Sequence, residues 1–215
     1  MNIAFRRLLC LLLLAGGLVL GANAAQAHPH VWITATSELM YAPDGSITGV
    51  RHAWTFDDMF STYALQGMET KTKGVYSREE LAPLAQTNVE SLKEYGFFTF
   101  AKADGKKEKF QEPVDYYLEY RDGTLTLHFT LPLKTPVKTR QLALEVFDPE
   151  FFIDFGFAEK NPVKLVGAPA ACQMKFDRPS DGATGAQKIG EQNFLSGANS
   201  NYGAMFANRI TVDCP

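Results

Sequence analysis

The sequence predicts a mainly β fold, an antiparallel β-sandwich or open barrel with one helical insertion at about residues 77–95. Two observations lead to this prediction. Roughly eight or nine short segments are rich in β-branched and aromatic residues and are bounded by turn residues, as is typical of strands joined by short loops. Only one stretch repeats its apolar residues at the period of an α-helix, so the helix is an insertion in a β-rich chain.

The first two strands form a predicted hairpin. Residues 31–40 and 47–56 have strand composition, and residues 42–46 between them read Ala-Pro-Asp-Gly-Ser. In such a turn Pro presets φ, Asp bonds to its own backbone and Gly takes a positive φ. Residues paired across this hairpin have numbers that sum to roughly 88 or 89. The register places His52 near Thr36 or Ser37, and it places His30 near Asp57 or Asp58.

The helical insertion is predicted from a capping box formed by Ser77 and Glu80. An apolar stripe runs from Leu81 to Tyr95, and Gly96 is the expected stop. Beyond it the apolar period changes to two, which indicates strands. These strands are expected at 97–103, 110–120, 124–131, 142–147, 151–157, 163–166, 172–176 and 210–214.

Residues 1–27 have the pattern of a secretory signal peptide. Arg6-Arg7 precede an apolar run at 8–20, and Ala25-Gln26-Ala27 is a small-residue cleavage site. Cleavage after Ala27 leaves residues 28–215 as a single β-rich domain, which we expect to be periplasmic and not stably inserted in a membrane. The formal net charge is −3 and no basic stripe is present, so nucleic acid is not an expected partner.

Two cysteines, Cys172 and Cys214, lie in the predicted mature chain. In an oxidising compartment such a pair is most simply a disulfide. The alternative is two free, buried thiols.

The proposed cleavage gives the sequence its one clear concentration of metal-binding groups. It makes His28 the new amino terminus, and His30 follows two positions later, so one segment carries an α-amine and two imidazoles. Such nitrogen donors suit zinc, nickel, cobalt or copper. Pro29 has no backbone N–H to lose, which excludes the square-planar copper/nickel mode that uses deprotonated amides. A divalent transition metal is therefore the expected cofactor.

Further metal ligands must then come from elsewhere in the chain. The candidates are three carboxylates, Asp57, Asp58 and Asp148, which would complete the coordination shell or orient the imidazoles. The alternative is that the terminal histidines are solvated and have no role. His52 and His128 lie inside predicted strands, where we expect hydrogen-bonded core or surface histidines rather than ligands.

Aromatic residues and catalytic motifs complete the prediction. Trp32, Trp54, Phe56 and Phe60 are expected in the core rather than on a binding surface. The sequence has no Gly-x-Ser-x-Gly elbow, no Cys-x-x-Cys pair and no glycine-rich phosphate loop. A binding protein is therefore expected rather than an enzyme.

Three motifs resemble a family of exported bacterial proteins of unknown function that is labelled a putative ABC-type transport system periplasmic component. They are His28-Pro29-His30-Val31-Trp32, Trp54-Thr55-Phe56-Asp57 with Phe60-Ser61, and Val146-Phe147-Asp148-Pro149 with Phe151-Phe152. Members of this family are often associated with nickel/cobalt efflux-type membrane permeases. The resemblance therefore implies transition-metal handling, with an inner-membrane metal permease as a partner.

Three functional hypotheses follow. The first is a periplasmic transition-metal-binding protein that acts as a sensor, buffer or accessory of a metal transporter. The second is a β-rich interaction module that recruits an inner-membrane permease without metal. The third is a copper enzyme built on a terminal histidine brace. This brace usually takes its second imidazole from elsewhere in the chain, so the closeness of His30 counts against it.

Overall fold

The fold consists of two open β-sheets that share one apolar core, in a computed structural model that describes residues 29–179 and 202–215. The elements are, in chain order, β1 (Val31–Tyr41), β2 (Ile47–Phe56), α1 (Asp58–Ala64), α2 (Arg78–Leu92), a 3-10 helix (Lys93–Phe98), β3 (Thr99–Ala103), β4 (Lys106–Lys107), β5 (Val114–Arg121), β6 (Thr124–Val137), β7 (Gln141–Val146), β8 (Ile153–Phe157), β9 (Val163–Val166), β10 (Gln173–Asp177), a second 3-10 helix (Tyr202–Phe206) and β11 (Asn208–Asp213).

The predicted β-sandwich with a helical insertion is confirmed. One sheet has the order β5-β6-β2-β1-β8, with β9 also pairing with β1, and the other has the order β10-β11-β7-β3-β4. The pairing departs from a purely antiparallel sheet at two strands, because β8 and β9 both run parallel to β1. A parallel neighbour needs a long connection, and here more than a hundred residues of chain separate β1 from β8.

The predicted hairpin and its register are confirmed. Ser37 pairs with His52 and Ile33 with Phe56, so paired residue numbers sum to 89 along most of β1 and β2. In the turn, the Asp44 carboxylate accepts a hydrogen bond from the Ser46 backbone N–H at 2.9 Å. This register decides which side chains of β1 enter the core.

Alternation along β1 buries one face and exposes the other. Ile33 is buried, whereas the neighbouring Trp32 is 45% exposed, so the prediction that Trp32 is a core residue was wrong. The same prediction for Trp54 is confirmed. Trp54 is fully buried and makes edge contacts with Phe129 and Phe155, at ring-centroid distances of 4.7 and 4.8 Å. A side chain's place in the two-residue period, and not its size, decides its burial.

Helix α2 begins as predicted. Ser77 and Glu80 form the capping box, and the helix buries Leu81, Ala85 and Val89 against the core. The 3-10 helix that follows ends in a left-handed turn, in which Gly96 has a φ of 60° and Phe97 and Phe98 have φ of 56° and 47°. Such backbone is strained for residues other than glycine, and burial of both phenyl rings holds it in place.

The predicted disulfide is present between Cys172 and Cys214, whose Cα atoms are 4.2 Å apart. Cys172 directly precedes β10 and Cys214 directly follows β11, and the two cysteines are 42 positions apart in the sequence. No helix within residues 29–179 or 202–215 is long and apolar enough to cross a membrane.

We expect replacement of Cys172 and Cys214 by Ser to lower the free energy of unfolding by about 4 kcal/mol, because the closed loop no longer restricts the unfolded chain. Urea unfolding at pH 7, with and without a reducing agent, measures this. Reduction should destabilise the wild-type protein by a similar amount and leave the double variant unchanged. A wild-type midpoint that is insensitive to reduction would contradict the prediction.

Candidate functional site

The amino-terminal end of β1 is the candidate site. His28 lies outside the described residues, and His30 is an exposed residue directly before β1. The His30 backbone N–H donates to the Phe152 carbonyl at 2.8 Å, and the two side-chain rings lie 4.7 Å apart between centroids. The structure thus joins His30 to the segment that leads into β8.

Asp57 holds the start of β1 from the side of β2 and helix α1. Its Oδ2 accepts from the Trp32 backbone N–H at 2.9 Å, and its Oδ1 caps helix α1 by accepting from the Phe60 N–H at 2.8 Å. Asp58 is exposed and accepts a hydrogen bond from the backbone N–H of Met59. The predicted neighbourhood of β1 and Asp57 is therefore present, and the backbone of Trp32 makes its hydrogen bond.

Asp148 organises the loop before β8. The residue is 4% exposed, and its Oδ1 accepts from the Glu150 N–H at 2.9 Å. Its Oδ2 accepts from the N–H groups of both Phe152 and Ile153 at 3.0 Å. Gly203 lies against the Asp148 backbone so closely that a Cβ would overlap the carbonyl oxygen, which requires glycine at that position.

Asp57 and Asp148 therefore each hold one of the two segments that flank His30. Both use their carboxylate oxygens on backbone N–H groups, which orients the segments. Within the described residues, no group of three or more His, Cys, Asp or Glu side chains is arranged to hold a metal ion. Because His28 lies outside those residues, the predicted ligand set as a whole stays a prediction.

His52 is the hydrogen-bonded core histidine that the sequence predicted. Thr99 directs its hydroxyl proton to the Phe97 carbonyl at 2.8 Å, so its oxygen accepts from His52 Nε2 at 3.3 Å. Nδ1 of His52 then accepts from the Ser37 hydroxyl at 2.8 Å. Complete burial lowers the pKa of His52 to about 3, so the ring is neutral and links the two sheets.

His128 lies on the other face of the same sheet, in β6. Its ring stacks on Tyr117 with centroids 4.5 Å apart, and its Nε2 is 3.7 Å from a Glu119 carboxylate oxygen. Burial lowers the pKa of His128. His128 is therefore a half-buried histidine that packs on Tyr117, and its Nε2 has no hydrogen-bond partner among the described residues, unlike the hydrogen-bonded histidine that was predicted.

A half-open cavity of about 330 Å³ lies beside the candidate site. Its lining includes Val31 and Ile33 of β1 and Ser91 of α2. Residues of the first 3-10 helix and of the loop before β8 also line it, among them Tyr95, Phe98 and Phe152. Sequence reasoning missed this cavity, because its walls are apolar residues of the kind that also fill a core.

Two comparisons bear on the identity of the chain. A family described as "Protein of unknown function (DUF1007)" matches residues 12–214. An uncharacterized protein of Haemophilus influenzae is 25% identical over 193 residues, which cover 87% of this chain and 91% of that protein. Neither description states a ligand or a transport role, so the transport label implied by the resemblance stays a prediction.

We expect Asp148→Asn to lower the free energy of unfolding by about 2–3 kcal/mol, because an amide offers one acceptor oxygen where the carboxylate serves three backbone N–H groups. Urea unfolding at pH 7 measures this. The matched control is Asp154→Asn in β8. Burial raises the pKa of Asp154, and its side chain accepts no hydrogen bond within the described residues, so its loss should cost less than about 0.5 kcal/mol. Equal effects of the two variants would contradict the scaffold role of Asp148.

We expect stability to fall in mild acid through His52. Its folded pKa of about 3 lies below the unfolded value of 6.5, so the unfolded chain binds the proton more tightly. The contribution is present above pH 6.5 and is lost progressively as pH falls towards 3. Between pH 7 and pH 5 it amounts to about 2 kcal/mol. Urea unfolding of wild type and His52→Gln at both values tests this, since the difference between the two should shrink at pH 5.

Proposed function

The chain belongs to the DUF1007 family of unknown function, and we propose that it is an exported transition-metal-binding protein that serves a metal transporter. The observation that carries the proposal is the placement of His30. The residue is exposed, and its backbone is pinned to Phe152 at the start of β1. His28 lies two residues upstream in the sequence, so cleavage after Ala27 would leave an α-amine and two imidazoles within the three residues that precede β1.

The chemistry of these groups supports the proposal. Imidazole and amine nitrogens bind zinc, nickel, cobalt and copper, and His28 and His30 would hold the ion. Asp58, the exposed carboxylate at this end, is a further ligand in the proposal. Asp57 and Asp148 act as positioning residues, because their oxygens already accept backbone N–H groups on either side of His30.

Export is part of the same proposal. The Cys172–Cys214 disulfide is typical of proteins in oxidising compartments, which agrees with the predicted signal peptide at residues 1–27. A periplasmic protein of this kind would act as a sensor, buffer or accessory of an inner-membrane metal permease.

Calorimetric titration with Zn²⁺, Ni²⁺, Co²⁺ and Cu²⁺ tests the metal site. We expect tight binding of at least one ion by a chain that begins at His28, and at least about tenfold weaker binding when an alanine precedes His28, because the α-amine is then acylated and displaced. The pair of substitutions His28→Ala and His30→Ala should abolish tight binding.

His128→Asn is the matched control, since His128 belongs to a separate cluster with Tyr117 and Glu119. It should bind metal as the wild type does. Unchanged affinity in the double histidine variant would refute the site. Loss of metal binding in His128→Asn would instead indicate that the metal site is on β6.

A second candidate function is supported by apolar surface at the same end of the molecule. Trp32 is 45% exposed, and the α1 residues Met59 and Tyr63 are 64% and 70% exposed. Asp57 joins these elements, because it bonds to the Trp32 backbone and caps α1. Exposed apolar groups of this kind favour a protein partner, which fits a module that recruits a permease without metal. Partner capture that persists after chelation of all metal would favour it.

A further inference from the structure

The cavity beside β1 has an apolar interior. Its deeper walls include Ile33, Trp54, Phe98 and Leu127, all of which are nearly or fully buried. Its volume of about 330 Å³ is at the lower end of the range of small-molecule sites. The interior therefore suits the apolar body of a small organic molecule.

The charged side chains that line the cavity are all carboxylates. Asp148 and Glu150 line it, and no Lys or Arg does. Glu94 adjoins this group: its hydrogen bond and charge raise the pKa of the lining residue Tyr95, with smaller contributions from burial, Glu150 and Asp148. Within the described residues neither Glu94 nor Glu150 forms a salt bridge. The local field therefore attracts a cation and repels an anion.

Two aromatic rings lie at the mouth of the cavity. Tyr95 and Phe152 both line the cavity, and each is 46% exposed. The face of an aromatic ring attracts an ammonium group, more strongly where water is partly excluded. Carboxylates and aromatic faces together are the chemistry that recognises an organic ammonium ion.

Backbone strain is concentrated around the same cavity. Seven described residues other than glycine have positive φ, and four of them are Asp or Asn, which tolerate it. The other three are Phe97, Phe98 and Phe151, which lie in the two turns that border the cavity. Strain of this kind collects at ligand-binding sites, where packing holds a costly conformation in place.

We propose that this cavity is a binding site for a small organic cation with an apolar body. The apolar part occupies the space between β1 and α2, and the ammonium group lies at the mouth among Glu150, Tyr95 and Phe152. The site adjoins the terminal histidines, since Phe152 contacts the His30 ring, but it uses neither imidazole and does not depend on metal.

Three matched probes test the charge preference on the metal-free mature protein: 4-phenylbutylammonium, 4-phenylbutanol and 4-phenylbutanoate. They share one apolar body and carry a positive, a neutral and a negative head. Calorimetric titration at pH 7 and low salt should show the cation binding about tenfold more tightly than the alcohol, with the carboxylate weakest. Equal binding of all three, or binding of none, would overturn the proposal.

Variants place the binding in the cavity. Ser91 is an exposed α2 residue that lines the cavity, so Ser91→Trp should block entry without disturbing the core, whereas Ser91→Ala should bind normally. Glu150→Gln should reduce the preference for the cation over the alcohol about threefold, and the exposed Glu159→Gln should not. Unchanged binding in Ser91→Trp would refute the cavity as the site.

The terminal histidines separate this proposal from the metal site. His28→Ala removes a proposed metal ligand and keeps the contact between His30 and Phe152, so it should weaken metal binding and keep the affinity for 4-phenylbutylammonium. If it instead loses both metal and the organic cation, the cavity is not an independent site and the proposal fails.

Discussion

The rest of the structure depends on the pairing of β1 on both of its edges. One edge bonds to β2 in the predicted hairpin, and the other bonds to β8 and then to β9. Because the strand is fixed on both sides, its two-residue alternation cannot slip without moving Ile33 and its apolar neighbours out of the core. The same constraint holds the start of the strand, so His30 leaves the sheet at a defined place.

Polar groups then set details that apolar packing leaves open. His52 bonds to Ser37 in one sheet and to Thr99 in the other, and this neutral link joins the two layers within the core. At the amino-terminal end of β1, the half-buried Asp57 accepts a hydrogen bond from the Trp32 N–H, and the buried Asp148 accepts one from the Phe152 N–H in the loop before β8. A buried N–H or carboxylate that loses its hydrogen bond destabilises the fold by more than the bond itself stabilises it. These hydrogen bonds therefore favour one geometry of the two segments.

The exposed His30, the apolar surface around Trp32 and the cavity all lie at this end of the molecule. Phe152 connects two of these features, since it contacts His30 and also lines the cavity. Two strained aromatic turns border the same region. Exposed apolar groups, carboxylates without salt-bridge partners such as Glu150, and strained backbone occur together here, a combination that is typical of binding surfaces.

Local sequence determined the hairpin register and the Ser77–Glu80 cap, because turn chemistry and periodicity act over a few residues. The disulfide also followed from the two remaining cysteines and the expected compartment. Tertiary structure alone decided that β8 lies parallel to β1, that Asp148 serves backbone N–H groups and that Trp32 is exposed. It also formed the cavity, because its walls come from segments far apart in the sequence, and no local pattern encodes how such segments meet.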